Sequence, residues 1–526
     1  MNYKILFDSN ILSENYQLKL PLELDFLIPR DDSVRVLNLV IDSINLSNLE
    51  KTYSRKPNFP ISTMLKIVIY ANMNKIYSSR DIEKACKRDI NFMYLLGGAS
   101  VPDHSTIARF RANHFSKVAK DIMSQINELL FKIGEINQQT IYIDGTKIES
   151  AANRYTFVWK KAVNKNHKKL MAKIPDFIKN CEEMFDFKIK YKDVIKIKHL
   201  KKLMKKLRKI SKDNKVEFVH GKGKRKSQIQ KSIETLESYI SRLKMYNNHL
   251  FKMGTRNSYS KTDNDATFMR MKEDHMKNGQ LKPAYNIQAG IDSSYITWIG
   301  AFSNPTDTNT LKSFLNDFEI NNSFKYKNIV ADAGYESEEN YVYLKNNKQI
   351  SYIKTLNYET QKKKSHKNNI GLAENMEYIS GEDCYICKNN RRLNLEKEFN
   401  RKTATGYQRK VSIYSCSDCS NCELKHSCIK NNGRSKIPFE DRIKRIEISK
   451  TFLELRNENL DRITSDIGIE FRKNRSIQAE GAFAQIKNNM GFRRFLSKGK
   501  INVLAECIVL ALACNINKLH KRIFNL

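Results

Sequence analysis

The sequence predicts an α/β protein in which a mixed β-sheet with helices is interrupted by two inserts and preceded by an all-α N-terminal domain. Three observations predict this class: helical apolar spacing in the first 134 residues, short apolar strands separated by helices from 138 to 355, and two segments of distinct composition. A chain of 526 residues is long enough for about three domains. We expect a helical domain at 1–134 and the first part of the sheet domain at 135–355, which includes a basic helical insert at 160–256. A cysteine-bearing insert at 356–445 and the C-terminal part of the sheet domain at 446–526 follow.

The N-terminal domain is predicted from three helical stretches, which begin "ISTMLKIV" (61–76), "YSSRDIEK" (77–98) and "PDHSTIAR" (102–134). The second stretch starts with serine caps and ends at a glycine pair, and the third starts at Asp103 or Ser105. Arg109 and Arg111 lie on the first turns of the third helix. Short helices followed by a basic helix are typical of a helix-turn-helix that reads DNA, and a plain helical bundle is the alternative.

The central sheet is predicted from five segments that are rich in apolar residues. "QQTIYIDGTKIES" (138–150) indicates a short strand that ends at Asp144-Gly145. Two adjacent strands follow, at "KPAYNIQAGID" and "YITWIGAFS", and then a helix at "DTNTLKSFLNDF". The next strand, "KNIVADAGYES", ends at Asp332, and after it come a helix at "SEENYVYLKNN" and a short strand at "ISYIKT". Three antiparallel strands and then parallel strands joined by helices are the succession of an RNase H-like domain.

The charge of the chain favours a polyanionic partner. Its 93 Lys and Arg against 57 Asp and Glu give a net charge of +36, and the segment 160–256 alone has 29 basic and 9 acidic residues. Such a surplus repels itself unless it faces a polyanion, so nucleic acid is the first candidate and an anionic membrane surface the second. We read the segment 160–256 as a basic helical insert that clamps phosphates, with a solvated arm as the alternative.

The membrane alternative has little support in the sequence. The longest apolar stretch, "VLAECIVLALAC" (503–514), is too short to span a bilayer and contains Glu506, so we expect a buried core helix. The start "MNYKILFDSN" has no basic region followed by an apolar one, as a signal peptide would. We therefore expect a cytoplasmic protein with no membrane partner.

Three carboxylates from distant parts of the chain are candidates for one catalytic site. Asp144 lies on or just after the first strand, Asp332 at the end of the fourth, and Glu480 on a C-terminal helix that would pack beside them. Glu480 is the one acidic residue between 474 and 500. Such a cluster suits two hard divalent cations, Mg²⁺ with Mn²⁺ as a substitute, which would flank a scissile phosphate.

The residues around Glu480 are predicted to hold DNA. Lys487 lies nearly two helical turns after Glu480 and so on the same face, close to a phosphate. We expect Phe483, Ile486 and Met490 to pack into the core, and the basic turn to contact the backbone through Arg493, Arg494 and Lys498. Trp298 and Tyr335 could stack on an unpaired base near the cut.

Each of these residues also has a structural interpretation. An Asp before a Gly is often a turn former, and Glu480 could simply pair with Arg475 or Lys487 on a helix surface. For Trp298 we favour a core position over base stacking. Other carboxylates could assist at the site, and we read them as turn or substrate-loop residues: Asp263, Asp265, Asp274 and Asp307.

The cysteines predict a possible metal site in the second insert. "CSDCSNCELKHSC" supplies Cys416, Cys419, Cys422 and Cys428, and "CYIC" supplies Cys384 and Cys387. Four thiolates could bind a structural Zn²⁺ in a loop-rich segment with little core of its own. A zinc-ribbon-like set with two cysteines from each cluster, an iron–sulfur cluster and free reduced thiols are the alternatives, and His426 could be a ligand.

Four motifs together resemble the DDE transposases of bacterial insertion sequences. They are "YIDGTKIESAANRYTFVWKK", "KPAYNIQAGID", "IVADAGYES" and "NRSIQAEGAFAQIKNNMGFRRFLSKGK". The segment "SSRDIEKACKRDINFMYLLGGASVPDHSTIARFR" resembles the helical N-terminal domain of a branch with an IS4-like catalytic core and a cysteine-bearing insert. The resemblance covers nearly the whole chain, and the lysine-rich segment 160–256 is its least characteristic part.

The resemblance implies Asp144, Asp332 and Glu480 as the catalytic triad, cutting at transposon ends, and joining of the freed 3′-OH to target DNA. It points to the cysteines from 416 to 428 as the metal-binding set and implies at least a homodimer on double-stranded DNA. Many IS4-like enzymes also carry a Tyr, an Arg and a Lys around the catalytic Glu. Here Lys487 matches the Lys, whereas Ser476 and Lys473 stand at the other two positions and Arg475 lies one place from the Arg.

Two other classes of protein are compatible with the sequence. One is a different RNase H-like nuclease that cuts without joining, which strand-transfer products would distinguish. The other is a non-catalytic DNA-binding protein derived from a transposase, which would bind DNA and show no metal-dependent activity.

Overall fold

The computed structural model describes residues 24–191, 195–221, 223, 225–271, 279–430 and 437–525. Within these residues the chain has a helical N-terminal part, a mixed central sheet, a basic helical segment, a second sheet and a helical C-terminal part. Asp274, one of the additional carboxylates named from the sequence, lies outside the described residues.

The N-terminal part is helical, as predicted. Asp103 caps its last long helix by accepting a hydrogen bond from the Thr106 N–H at 2.6 Å, and Gly97 ends an earlier helix with φ 57°. A π-helical segment, Phe110–Phe115, joins α6 to α7. The helices α1 to α7 are Ser33–Asp42, Ser47–Glu50, Ile61–Met73, Ser79–Arg88, Ile90–Leu96, His104–Arg109 and Ser116–Lys132, and Leu24–Leu27 is a 3₁₀ turn.

These helices share one apolar core with the central sheet and the C-terminal helices. Asn127 of α7 donates a hydrogen bond to the Thr297 carbonyl at 2.7 Å, and Ser124 donates one to the Asn321 carbonyl at 2.7 Å. The Tyr77 hydroxyl donates to the carbonyl of Met490, which follows the helix of Glu480. The N-terminal helices are thus packed directly on the sheet region, and the domain boundary at residue 134 stays a prediction.

The central sheet is mixed and has six strands. Its strand order is β4-β5-β1-β7-β8, and β6 also pairs with β5; β1 runs antiparallel to β5 and parallel to β7, and β7 runs parallel to β8. A separate pair, β2 and β3, lies at the base of the basic helical segment. The strands β1 to β8 are Thr140–Glu149, Phe157–Trp159, Ser258–Ser260, Thr267–Arg270, Leu281–Asp292, Tyr295–Phe302, Asn328–Ala331 and Ile350–Ile353.

The basic helical segment has three helices in the described residues: α8 (Lys160–Phe185), α9 (Ile197–Asp213) and α10 (Gln228–Met253). They pack around their own apolar cluster, to which Leu170, Leu203 and Leu236 belong. The sequence showed helical spacing in α9 and α10, whereas α8 contains Pro175, which ordinarily ends or kinks a helix.

Two helices, α11 (Leu311–Asn321) and α12 (Glu338–Asn346), connect the later strands of the central sheet. Both lie where the sequence predicts them. The succession from β5 to β8 therefore confirms the predicted order of strands and helices.

The cysteine-bearing segment is a second, five-stranded antiparallel sheet, so the prediction of a loop-rich segment with little core was wrong. Its core includes Leu393, Tyr414 and Ile446. Most side chains of the long strand Arg392–Lys402 are exposed, so the strand has no apolar alternation that a sequence pattern could reveal. The strands β9 to β13 are Glu377–Ile379, Cys384–Ile386, Arg392–Lys402, Gln408–Cys416 and Arg445–Ile448, and α13 and α14 are Lys364–Lys367 and Lys425–Cys428.

The C-terminal part is helical and ends in a core helix. It comprises α15 to α18, at Lys450–Thr464, Asp466–Arg475, Gly481–Ala484 and Lys500–Phe524, with π-helical Ser476–Glu480 and Gln485–Asn489 on either side of α17. Helix α18 is long and apolar enough to cross a membrane, but 67% of its most apolar window is buried inside the protein. The predicted core helix at 503–514 is confirmed, and its buried Glu506 accepts hydrogen bonds from the Leu496 and Ser497 N–H groups at 3.0 Å.

Candidate active site and its basic surroundings

Asp144 and Asp332 lie side by side on neighbouring parallel strands. Ile143 of β1 is in register with Ala331 of β7, and the two aspartates are the next residues of their chains. Each carboxylate accepts a hydrogen bond from the N–H that follows it, at 2.8 Å for Asp144 and 2.6 Å for Asp332. The mixed sheet therefore places two of the three predicted carboxylates at one point.

The strand that carries Asp144 is longer than predicted. It does not end at Asp144-Gly145 but continues to Glu149, which pairs with Ala284 of β5. A Cβ on Gly145 would lie 2.4 Å from the Gln288 side-chain nitrogen, so the glycine permits a close approach inside the sheet and is not part of a turn.

Glu480 is connected to Asp144 through Arg475. The Arg475 guanidinium lies 3.9 Å from a carboxylate oxygen of Asp144 and 3.3 Å from one of Glu480. The Ser476 hydroxyl donates to the same Glu480 oxygen at 3.2 Å. The Glu480 side chain is 61% exposed, whereas those of Arg475 and Asp144 are mostly buried. The arginine that the sequence left in question thus contacts two of the three carboxylates.

The helix that carries Glu480 is fixed to the sheet at two places. The Ser294 N–H, in the turn between β5 and β6, donates to the Gln478 side chain at 2.9 Å. After the helix, the Phe495 N–H donates to the Glu149 carbonyl at 2.9 Å, so this segment lies along the end of β1. The predicted core residues of this helix are buried, namely Phe483, Ile486 and Met490.

Lys487 is partly buried on the same helical stretch. Its predicted position beside Glu480 assumed regular α-helical spacing, and both residues lie in π-helical segments, which have a wider turn. Its phosphate contact therefore stays a prediction.

Three residues proposed for DNA contact are placed elsewhere by the structure. Trp298 is completely buried and Tyr335 nearly so, because both pack inside the sheet region, and the prediction that they stack on a base was wrong. Arg111 is largely buried, donates to the Tyr77 carbonyl at 2.8 Å and lies 4.0 Å from Glu506. It connects N-terminal helices to α18, which gives it a structural role, and its DNA contact stays a prediction.

The remaining predicted DNA contacts are accessible. Arg109, Arg493 and Lys498 are exposed. Arg494 is half exposed and donates to the Ser150 and Ala152 carbonyls at 3.2 and 3.3 Å, which holds the basic turn beside β1. Their contacts with DNA stay predictions.

The additional carboxylates have different environments. Asp263 is buried and accepts hydrogen bonds from Ser150, Tyr285 and the Gly499 N–H at 2.6, 2.8 and 3.2 Å. Asp265 accepts from the Lys500 N–H at 2.9 Å. Both therefore fix the basic turn.

Asp307, in contrast, lies next to the candidate site. It accepts hydrogen bonds from Asn286 and Gln288 at 2.7 and 2.9 Å. Burial, and then the charges of Asp307, Asp144 and Asp332, raise the pKa of Tyr335 well above its usual value. Asn286 and Gln288 are two polar residues on one face of an otherwise apolar strand, a pattern that the sequence reading did not use.

The cysteines gather at one end of the second sheet. Cys419 accepts a hydrogen bond from the Lys444 N–H at 3.3 Å, and Cys422 accepts one from the Asn389 side chain at 3.4 Å. Burial, followed by the neighbouring Cys419 and Cys387, raises the pKa of Cys416 to about 11. Cys387 thus lies among the predicted ligands, as in the zinc-ribbon-like alternative. His426 is exposed and stacks on the Phe439 ring.

The donor chemistry of the acidic site suits hard divalent cations, since carboxylate oxygens are the ligands that Mg²⁺ and Mn²⁺ prefer. Within the part of the chain that the structure describes, no group of three or more His, Cys, Asp or Glu side chains is arranged to hold a metal ion. Asp144 and Asp332 are adjacent, and Glu480 reaches them through Arg475, so the three carboxylates lie near one another without forming a ready-made ligand set.

The fold and the site define a class: an α/β protein with two acidic residues side by side on adjacent parallel strands, faced by a basic helix. Residues 386–520 match the family model of the Transposase DDE domain, and residues 22–113 match that of the Transposase domain (DUF772). These matches support a DDE transposase of insertion-sequence type, and the resemblance drawn from the motifs is confirmed.

The matched DDE segment contains Glu480 and the cysteines from 416 to 428. A DDE domain implies an enzyme that cleaves and transfers DNA, and such transposases generally use divalent metals. No curated protein and no solved structure matches the chain significantly.

Proposed function

We propose that this protein binds the ends of an insertion sequence and catalyses metal-dependent DNA cleavage and strand transfer, with Asp144, Asp332 and Glu480 as the catalytic triad. The observation that carries the proposal is the placement of the two aspartates on adjacent strands, with Arg475 between Asp144 and Glu480. The strand order of the central sheet supports an RNase H-like fold, in which the helical segment and the second sheet are inserts.

The triad residues would hold two Mg²⁺ ions, with Mn²⁺ as a substitute. When bound, such ions activate the attacking oxygen and stabilise the leaving oxygen of a phosphodiester. The adjacent strands hold Asp144 and Asp332 at a fixed spacing, so little reorganisation is needed on their side. Glu480 is exposed and faces the approaching DNA. Arg475 and Lys487 would bind phosphates next to the cut, and water and then a DNA 3′-OH would be the attacking groups.

The surrounding basic surface would bind the DNA backbone. The turn after the catalytic helix offers Arg493, Arg494 and Lys498, and the N-terminal helices offer Arg109. The helices α8 to α10 carry most of the basic excess and would form a clamp on the same duplex. Because two transposon ends must be brought together with target DNA, we expect a homodimer or a larger assembly on DNA.

The test is Mn²⁺-dependent nicking and joining of a supercoiled plasmid, with DNA binding measured in parallel. We expect Asp332→Asn, and likewise Glu480→Gln, to lower the cleavage rate by at least about a hundredfold, since each removes a metal-binding carboxylate. Asp317→Asn, in α11, is the matched control and should retain activity. DNA binding should be unchanged in all three variants.

Two other results would point to the alternative functions. Cleavage with no joined products would favour a nuclease that cuts without transfer. DNA binding with no metal-dependent cleavage by the unmodified protein would contradict the proposal and leave a binding protein.

We also propose that the thiols of the second sheet bind a structural Zn²⁺, with ligands from Cys416, Cys419, Cys422 and Cys428. The hydrogen bonds to the sulfurs of Cys419 and Cys422 support this, because such donors commonly surround metal-bound thiolates. Metal analysis of the purified chain should find about one zinc per molecule. Cys419→Ser should lose it and Cys181→Ser, in α8, should keep it; zinc-free protein of normal stability would contradict the proposal.

A further inference from the structure

We propose that Asp307 is a positioning residue that sets the geometry of Asp144 and Asp332 through a buried polar network behind them. This inference rests on the proposed function, because it concerns the same site. Asp307 begins the 3₁₀ turn Asp307–Asn309, between β6 and α11, and belongs to neither strand that carries a triad residue.

The first part of the network joins Asp307 to strand β5. One Asp307 carboxylate oxygen accepts hydrogen bonds from Asn286 at 2.7 Å and from Gln288 at 2.9 Å. Both amide side chains are completely buried, and Gln288 also donates to the Asn286 side-chain oxygen at 3.0 Å. Two buried amides therefore share one carboxylate oxygen as their acceptor, and loss of that oxygen would leave both donors without this partner.

The second part joins this network to Asp144. Gly145, the residue after Asp144, is paired with Gln288 across the two strands. A Cβ at position 145 would lie 2.4 Å from the Gln288 side-chain nitrogen and 2.8 Å from the Asp307 carboxylate. The side chains of Gln288 and Asp307 thus lie in close contact with the backbone of Gly145. Their position therefore fixes the position of the β1 backbone from which the Asp144 side chain extends.

The third part joins the network to the turn that follows Asp332. Thr308, next to Asp307, donates a hydrogen bond to the Gly334 carbonyl at 2.8 Å. The Tyr335 hydroxyl donates to the Gln288 side-chain oxygen. Asn340 donates to the carbonyls of both Thr308 and Tyr335, at 2.9 and 2.7 Å. The turn that carries Asp332 is therefore joined to the Asp307 turn directly by Thr308 and indirectly through Asn340, and it is joined to β5 by Tyr335.

The geometry gives Asp307 a positioning role and not that of a ligand. Successive side chains of a strand point to opposite faces, so Asp144 points away from the face on which Gly145 meets Asp307. Arg475 contacts Asp144 on its own face. Asp307 thus supports the two aspartates from the face of the sheet on which it meets Gly145. The groups that react would lie on the opposite face, to which Asp144 points.

Mn²⁺ binding to the full-length chain, followed by the electron paramagnetic resonance of free Mn²⁺, tests this role without a DNA substrate. We expect Asp307→Ala to weaken Mn²⁺ binding by about tenfold, as for residues that orient metal ligands, because it removes the oxygen that accepts from Asn286 and Gln288. Tyr335→Phe, which removes one hydroxyl contact, should weaken it in the same direction. Asp317→Ala is the matched control, since it removes an ion-paired carboxylate of α11 that contacts Lys120 and Trp298. Thermal melting of each variant shows whether it is folded.

The outcomes separate this inference from the proposed function. If Asp332→Asn loses Mn²⁺ binding and folded Asp307→Ala binds as tightly as the unmodified chain, the positioning role is overturned and the proposed triad is supported. If Asp307→Ala does not fold, Tyr335→Phe decides, and unchanged binding overturns the role. If the unmodified chain binds no Mn²⁺, or Asp332→Asn binds it equally well, the proposed function fails and this inference fails with it.

Discussion

Arg475 is the residue whose environment is most informative about the site. Its side chain is only 15% exposed, and its guanidinium lies within 4 Å of carboxylate oxygens of both Asp144 and Glu480. A planar guanidinium with several donors can hold two carboxylates at once, which a lysine cannot do with the same geometry. Arg475 therefore keeps Glu480, the most exposed member of the triad, close to the aspartates.

Replacing Arg475 by Gln should lower the rate of plasmid cleavage by roughly ten- to a hundredfold, because charge-assisted hydrogen bonds contribute about 1.5–3 kcal/mol. Lys473→Gln removes the same charge from an exposed position of α16 and should lower the rate by less than about threefold. Initial rates at saturating Mn²⁺ compare the variants. Equal losses in both would show that net charge, and not the contact of Arg475, matters.

The positions of the proposed triad could be read from the sequence, but their neighbours could not. Asp332 ends an apolar strand and Glu480 stands alone in a basic helix, and both features are visible in the residues themselves. The contacts of Arg475 and Asp307 join segments that are distant along the chain, so they depend on tertiary packing. The full burial of Trp298 was likewise decided by packing between sheet and helices, which an aromatic residue in a strand does not reveal.

At the scale of the elements, the second sheet is held to the C-terminal helices by Asp383. Its carboxylate accepts hydrogen bonds from Tyr378 and Tyr414 at 2.7 Å and from Lys450 of α15 at 2.8 Å. The bond from Lys450, followed by those of the tyrosines, lowers the pKa of Asp383 to about 2. A single carboxylate therefore connects two strands and a helix.

This arrangement predicts an acid-sensitive second sheet. Because the pKa of Asp383 in the folded chain lies below its ordinary value, its stabilising effect is complete above about pH 4 and is lost as the pH falls towards 2. Asp383→Asn should speed hydrogen exchange of β10 and β12 by roughly tenfold at pH 7, and the difference from the unmodified chain should shrink towards pH 2. Exchange rates are normalised to the intrinsic rate at each pH.

Glu382→Gln is the control, because Glu382 forms a surface ion pair with Arg392 that contributes little. It should leave exchange of the second sheet unchanged at pH 7. A difference between Asp383→Asn and the unmodified chain that persists undiminished at low pH would show that packing, and not the charge of Asp383, stabilises this sheet.

The elements themselves were predictable where their apolar pattern was regular. The strands of the central sheet from β5 to β8 are mostly buried, and β6 and β7 consist largely of apolar residues. All four lie where predicted, because buried strands need no alternation. The strand Arg392–Lys402 carries mostly exposed charged residues, and Pro175 lies inside α8, so both were missed. The end of β1 was misplaced because Asp-Gly normally favours a turn.

For the whole molecule, the distribution of charge follows the architecture. The net charge is +36, and helix α9 alone has eight basic residues and one acidic residue. Its apolar side chains, including Leu200, Leu203 and Leu207, are buried against α8 and α10, which leaves its lysines outside. A helical body with its own core thus presents a rigid basic face, as a clamp on a DNA duplex requires.

Replacing four lysines on this face of α9 together should reduce the salt dependence of DNA binding. Lys201, Lys205, Lys209 and Lys212 are exposed and follow one side of α9. If each contacts a phosphate, replacing all four by Gln should lower the slope of log K against log salt by about 3 to 4, since each contact contributes about 0.9. Fluorescence anisotropy of a 20-base-pair duplex of arbitrary sequence, from about 50 to 200 mM salt, measures the slope.

The matched control replaces four exposed lysines of the second sheet by Gln, namely Lys388, Lys397, Lys402 and Lys410. It changes the net charge of the molecule by the same amount, so any effect of overall charge on long-range attraction is equal in the two variants. We expect its slope to stay within about one unit of that of the unmodified chain. Equal slopes for the two variants would contradict a clamp formed by α9, because the attraction would then arise from total charge and not from contacts of this helix.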